Sequence, residues 1–264
     1  ITTTDADFSE GLELVGIENS SFDETWEPVW GQFAKIRNHY NSLTATLKNA
    51  DGKELKVEMR LFDDGLGLRY TLLGEGSAAI TAERTEFRMG GDYESHWIAG
   101  SDDDAEFDYM HTLLSEITPQ TMQQSSGRVS NLVECGVSTP IAMKSSATGN
   151  HIAIHEAALW EYPGMILAWD NEHRCFTSLL AGDDVVKSEV ELPFSTPWRT
   201  IIVGDRAGVL VESNLVLNLN EPCKIEDTSW IKPMKYVGVW WEMHLKESIW
   251  DRDGAYPHCA TTEN

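Results

Sequence analysis

Glu54-Leu-Lys-Val-Glu-Met-Arg-Leu-Phe62 alternates without a break. Leu55, Val57, Met59 and Leu61 fall on one side, and Glu54, Lys56, Glu58 and Arg60 on the other. That is the period of a β-strand with one buried and one wet face. Upstream, Ser42–Lys48 alternates in the same way, with Leu43, Ala45 and Leu47 on one side, and Asn49-Ala-Asp-Gly52 joins the two runs. An Asn/Asp/Gly turn between alternating segments predicts an antiparallel hairpin. Asp63-Asp64-Gly65 then turns the chain into a third strand, Leu66–Leu72. A meander with no helical period between its strands points to an all-β domain.

Working outward, further short strands are predicted at Leu12–Ile17, Thr85–Met89, His96–Ala99, Pro140–Lys144, His151–Leu159, Met165–Trp169, Thr177–Leu180, Ser188–Leu192 and Trp198–Val203. Turn signals such as Gly90-Gly91, Ala147-Thr-Gly-Asn150, Pro163-Gly164 and Gly182-Asp183 separate them. About fifteen strands suit two broad sheets packed face to face. Leu215–Leu219 also reads as a strand, and one helix is expected over Asp205–Ser213, with Asp205 as N-cap and Ala207, Leu210 and Val211 inward. The aromatic stretch Phe22–Trp30 reads mainly as core, although Trp side chains also stack on sugar rings.

One residue breaks the pattern. Along His151–Leu159, the residues Ile152, Ile154, Glu156 and Ala158 share a face, which is apolar apart from Glu156. A carboxylate there is costly unless something positive meets it. No Lys or Arg stands nearby in sequence, so the partner lies elsewhere in the fold. A cation shared with a second domain, an Arg from a distant strand, or plain solvent at the strand end would each answer.

The length of 264 residues allows one large or two small domains. The formal charge of −23 repels phosphate backbones, which excludes nucleic acid as a partner and leaves neutral ligands and divalent cations. No run is long enough to span a bilayer. Cys135, Cys175, Cys223 and Cys259 show neither a C-x-x-C pair nor zinc spacing and read as free thiols. The run Ser101–Asp108 lacks the Gly and terminal Glu of a calcium loop and reads as a solvated loop, and residues 117–138 read as an exposed connection. No signal peptide is visible, in a chain that opens on Ile1-Thr-Thr-Thr without Met. Asn220-Glu221-Pro222 looks like a glycosidase acid motif, but no alternating βα pattern precedes it, so it reads as structural. After Lys232-Pro233 the character changes. Tyr236-Val-Gly-Val-Trp-Trp241 is a compact apolar run followed by Glu242, Met243 and His244, the pattern of a first strand of a (β/α)₈ barrel with polar residues at its C-terminal end.

Several stretches together resemble glycoside hydrolase family 97, which includes the calcium-dependent α-glucosidase of bacterial starch-utilisation systems. They are Asp23-Glu-Thr-Trp26, Asp63-Asp-Gly65, Gly91-Asp-Tyr93, Ile154-His-Glu-Ala-Ala-Leu159, Tyr162-Pro-Gly-Met165, Trp198-Arg199, Glu212-Ser-Asn-Leu215, Leu217-Asn-Leu-Asn-Glu-Pro-Cys223, Asp227-Thr-Ser-Trp-Ile-Lys-Pro233, Val239-Trp-Trp-Glu-Met-His244 and Ala260-Thr-Thr-Glu-Asn264. The resemblance implies an N-terminal β super-sandwich, galactose-mutarotase-like, over residues 1–232, then the beginning of a catalytic barrel over 233–264, cut short at Asn264. It implies an exo-acting α-glucosidase or α-galactosidase as the full-length protein, bacterial and periplasmic or secreted. Its partners are an oligosaccharide and the catalytic barrel of the same polypeptide. It implies Ca²⁺, with Glu156 as the one ligand from the sandwich, and Trp241, Glu242 and His244 at the sugar pocket. The catalytic carboxylates would lie beyond this chain, which alone would be inactive. Two rivals are a non-catalytic sandwich that binds carbohydrate through its Trp residues, and a domain that only docks on and shapes a barrel.

Overall fold

The computed structural model describes residues 1–101, 105–125, 135–182, 184–236 and 238–246. The chain divides into two compact units, Ile1–Pro222 and a second one opening at Cys223.

Among the described residues, the first unit holds seventeen strands. In chain order they are β1 (Thr2–Thr3), β2 (Glu13–Trp26), β3 (Ile36–Lys48), β4 (Glu54–Phe62), β5 (Gly65–Leu72), β6 (Ser77–Ala82), β7 (Glu86–Arg88), β8 (Glu94–Trp97) and β9 (Met110–Leu113). Helix α1 (Pro119–Ser125) intervenes. Then come β10 (Gly136–Ser138), β11 (Ile141–Lys144), β12 (His151–Ala157), β13 (Met165–Asp170), β14 (Cys175–Leu180), β15 (Ser188–Glu191), β16 (Phe194–Ser195) and β17 (Trp198–Gly204). Two short helices, α2 (Val209–Glu212) and α3 (Leu215–Leu219), close the unit.

A ten-stranded sheet, ordered β2-β3-β4-β5-β17-β12-β11-β8-β9 with β16 also on β5, forms one broad layer. Two smaller sheets, β1-β6-β15 and β10-β13-β14-β7, cover one of its faces. Trp97, Ile141, Met143 and Ile154 of the large sheet meet Phe87, Val137, Leu167 and Phe176 of the four-stranded one. Leu55 and Leu72 meet Ile80 and Val190 of the three-stranded one. The register pairs Arg199 with Leu68 and Leu55 with Leu72, so both clusters lie on the same side. This is the all-β super-sandwich expected from the alternating runs.

The opposite face carries α2 and α3, with Leu215 and Leu219 against Phe62, Ala153, Trp198 and Ile202. Two glycines permit that approach. A Cβ on Gly65 would stand 2.2 Å from the Ile201 carbonyl oxygen and 2.7 Å from Leu215 Cδ1, and one on Gly67 would stand 2.6 Å from Leu219 Cδ1. The charged side of β4 is therefore less wet than its alternation suggests. Glu58 bonds Arg69 at 2.7 Å, and the Arg60 and Arg69 guanidinium groups lie 4.6 and 4.3 Å from the Trp198 ring centre.

Other expectations are corrected. The strand expected at Leu12–Ile17 runs on to Trp26, and its residues are exposed along nearly all of its length, so no buried face marked its continuation. Phe22 and Trp30 are exposed rather than core. The predicted helix over Asp205–Ser213 contracts to α2, its N-cap is Gly208, and Val211 points to solvent while Val209 and Leu210 pack inward. Leu215–Leu219 is a helix, because Leu215, Asn218 and Leu219 recur at helical spacing and are the buried positions. Asn220–Pro222 is accordingly a helix exit, where the Asn220 side-chain amide donates to the Val216 carbonyl.

In the second unit, Val239–His244 forms helix α4 and no barrel strand is visible. A lone parallel strand has no neighbour among the described residues to take its backbone groups, whereas a helix satisfies its own. Val237 of the expected strand lies outside the described residues, as do Cys259, Ala260–Asn264, Asp183, Asp102–Asp104 of the acidic run and 126–134 of the expected connection. No disulfide joins the described cysteines.

Candidate functional site

β12 runs between β11 and β17 in the large sheet and carries Glu156 one residue before its end. The backbone leaves the strand at Ala158, whose φ of 54° lies in the left-handed region, and Tyr162–Gly164 returns the chain to β13. Glu156 faces inward, as its alternation with Ile152 and Ile154 requires, and is buried, with 9% of its surface exposed.

Its partner comes from the neighbouring strand. Antiparallel register sets Glu156 directly opposite Arg199 on β17, which puts both side chains on one face. Arg199 Nη1 donates to Glu156 Oε2 at 2.6 Å. The same guanidinium forks onto Glu83, with Nε to Oε1 at 2.6 Å and Nη2 to Oε2 at 2.8 Å. Tyr162 donates its hydroxyl to Glu83 Oε2 at 3.0 Å, and Thr85 donates to Glu83 Oε1 at 3.2 Å. The Met165 N–H is shared between Glu156 Oε1 at 3.1 Å and Oε2 at 3.2 Å.

Burial works to lower the Arg199 pKa, but the charges of Glu83 and Glu156 and the bonds to Glu83 outweigh it and hold the group above its ordinary value. Burial, then the Glu83 charge, pushes the Tyr162 hydroxyl well up, so it remains a donor. Two carboxylates face one guanidinium, so the triad carries one surplus negative charge inside the sandwich. Among the described residues, Glu156 Oε1 takes only the shared Met165 N–H and keeps acceptor capacity. The set therefore fits a cation at Glu156 in charge and in donor chemistry. It supplies one ligand, and calcium wants six to eight oxygens. No group of three or more ligating side chains occurs among the described residues.

The sequence reading missed Arg199 as the partner of Glu156, and Glu83 as the second carboxylate on that guanidinium. Trp198-Arg199 stands out in the chain, but only the strand register shows which residue it faces. Trp241, Glu242 and His244 sit together on α4, in the second unit. Trp240 Nε1 donates to His244 Nε2, and the Trp241 ring meets His244 edge-on at 5.9 Å. Trp241 and His244 are exposed and Glu242 is half-buried.

Comparison with known proteins accounts for this architecture. Residues 1–222 match the family model described as Glycosyl-hydrolase 97 N-terminal. A retaining alpha-galactosidase of Bacteroides thetaiotaomicron is 23% identical over 94% of this chain and 38% of its own length. A probable retaining alpha-galactosidase of Streptomyces bingchenggensis is 29% identical over 91% of this chain and 34% of its own. The structure of a Glycoside Hydrolase Family 97 enzyme from Pseudoalteromonas sp. strain K8, solved as a point variant, superposes with a TM-score of 0.81 and 31% identity over 97% of this chain and 38% of that one. The same enzyme has been solved with panose and with acarbose. The chain thus spans less than two-fifths of the length of these relatives. It belongs to glycoside hydrolase family 97, and residues 1–222 are the family's N-terminal domain.

Proposed function

We propose that this chain is the N-terminal part of a calcium-dependent, exo-acting α-glycosidase that hydrolyses oligosaccharides, and that Glu156 gives one oxygen ligand to a calcium ion held mainly by the catalytic barrel of the same polypeptide. The observation that carries the reading is the surplus negative charge of the Glu83–Arg199–Glu156 triad. A buried carboxylate in excess of its partner is costly, and a cation at its open oxygen removes the cost. Arg199 and the Met165 N–H fix the carboxylate so that Oε1 is the oxygen left to coordinate. Glu83 and Tyr162 in turn fix Arg199. When bound, the ion supplies Lewis-acid polarisation and orientation at the reacting centre. Trp241, Glu242 and His244 contribute to the sugar pocket in this reading, and bond cleavage belongs to a carboxylate pair on the barrel. The names of the curated relatives support an α-galactoside, and the panose and acarbose complexes support an α-glucoside. An exported, periplasmic or secreted enzyme suits such substrates, and no helix of the described residues is long and apolar enough to cross a membrane.

The test uses the full-length protein. Aryl α-glucoside and α-galactoside hydrolysis is measured with chelator and after calcium is restored, in the parent and in Glu156→Gln. Hydrolysis of one of the two, lost with chelator, is expected, and Glu156→Gln should weaken calcium affinity by at least about tenfold. Unchanged calcium affinity in the variant would remove Glu156 from the ligand set.

A further inference from the structure

The expectation that Phe22–Trp30 is core fails at its last residue in a way that points to a binding site. Trp26 pairs with Ile36 to close the β2–β3 hairpin, and the loop between them leans on the α2–α3 turn around a cleft of about 210 Å³. Trp26, Trp30, Phe33 and Leu217 supply its apolar walls, and Gln32 and Asn214 its amides. Trp30 is 64% exposed and Phe33 38%. Exposed aromatic faces around a concavity are costly in a protein that has no use for them.

The walls are braced in advance. Trp26 Nε1 donates to Asn218 Oδ1 at 2.9 Å, and the Asn218 amide donates to the Arg37 carbonyl at 3.0 Å. Arg37 pairs with Asp23 across the hairpin at 2.6 Å, and Lys35 with Glu27 at 3.4 Å. By contrast, the side-chain amides of Gln32 and Asn214 take no partner among the described residues, although Asn214 is half-buried at the start of α3. Each offers a carbonyl acceptor and an NH₂ donor, which suits hydroxyl groups.

Asn214 also lines a second cavity of about 290 Å³, which continues past Asp63, Asp64 and Glu212. Arg37 shares that lining and Arg206 pairs with Glu212, so the charges there are largely offset and favour no ion, and the free amides disfavour a purely apolar segment. A neutral, polyhydroxylated ring with an apolar face answers both.

We propose that this cleft binds one or two pyranose units of a neutral oligosaccharide, with Trp30 as the stacking platform and Gln32 and Asn214 on the hydroxyls. The choice of sugar as ligand class rests on the glycosidase reading, whereas the cleft and its free amides do not. The experiment is calorimetric titration of the full-length protein with maltotriose and with raffinose, repeated for Trp30→Ala and Asn214→Ala. Trp30 is exposed, so the variant should fold, and far-UV circular dichroism checks this. Each variant should weaken binding of one of the two sugars by tenfold or more. Affinities within twofold of the parent in both folded variants, or no binding of either sugar to the parent, would overturn the proposal. Aryl-glycoside hydrolysis in the same preparations keeps the two readings apart. An inactive protein that still loses sugar on Trp30→Ala refutes the glycosidase and leaves the cleft, and an active protein indifferent to both variants does the reverse.

Discussion

Arg199→Met isolates what the buried triad contributes. Arg199 makes three charge-assisted hydrogen bonds to Glu83 and Glu156, at 2.6, 2.8 and 2.6 Å, with all three side chains almost wholly out of water. At roughly 1.5–3 kcal/mol each they would sum to several kcal/mol if independent, but bonds sharing one guanidinium are not additive. Removal of one partner of a buried ion pair costs about 3–5 kcal/mol, because the remaining charge is left without compensation. We expect a loss in that range by urea or guanidinium unfolding at neutral pH. The decisive comparison adds Glu83→Gln and Glu156→Gln to the Met variant. If stranded charge is the cause, the triple variant should recover about half of the loss or more. A Met variant within about 1 kcal/mol of the parent, or a triple variant no more stable than the single one, would refute the electrostatic account.

Gly67→Ala should cost roughly 1–3 kcal/mol of stability through overpacking against Leu219 and Trp198, and combination with Leu219→Ala should cost less than the sum of the two, measured by denaturant unfolding. Acidification gives a signed prediction. Burial lowers the pKa of His155 against the opposing Glu156 charge, and burial, then His111 stacked at 4.2 Å, lowers that of His96, both from 6.5. At these two histidines the unfolded chain binds protons first, which lowers stability as pH drops below about 6.5 until the folded-state values are passed; His173, raised by its bond to Asp170, works the other way, so the melts are run on a His173→Ala background. Thermal melts between pH 7.5 and 5 read this. His111→Ala should flatten the slope, and a melting temperature of that background that does not fall over that range would sink the argument.

The legible parts of the fold were those where one face of a strand meets apolar neighbours. β4, β5, β12 and β17 advertise themselves by alternation because the sandwich interior takes every second residue. β2 does so only over Leu12–Ile17, and beyond it the strand is exposed along nearly its whole length, with the polar Glu18-Asn-Ser-Ser21 giving no apolar alternation. Leu215–Leu219 satisfies the strand and the helix period at once, and only contact with Gly65 and Gly67 decides between them. In the tail, Val239–His244 is a helix where a strand was expected, because an apolar run ending in polar residues holds as a barrel strand only when other strands flank it, and none does among the described residues. At the site, the burden on Glu156 could be read from its own strand. Its relief could not, because register, and not spacing, brings Arg199 to it from forty-three positions further along the chain.

The position of β17 also sets the order in which the molecule can be assembled. It is inserted between β5 and β12, so among the described residues one of the last strands joins the two halves of the large sheet. During synthesis the β2–β5 meander emerges early, with the inner edge of β5 unpaired until β16 and β17 follow. An open edge of that kind recruits other chains. Arg199 arrives on the strand that closes it and there meets two carboxylates already made. The ion triad thus forms at the moment the sheet becomes continuous, and a nascent chain stalled before residue 198 should be the species most prone to aggregate.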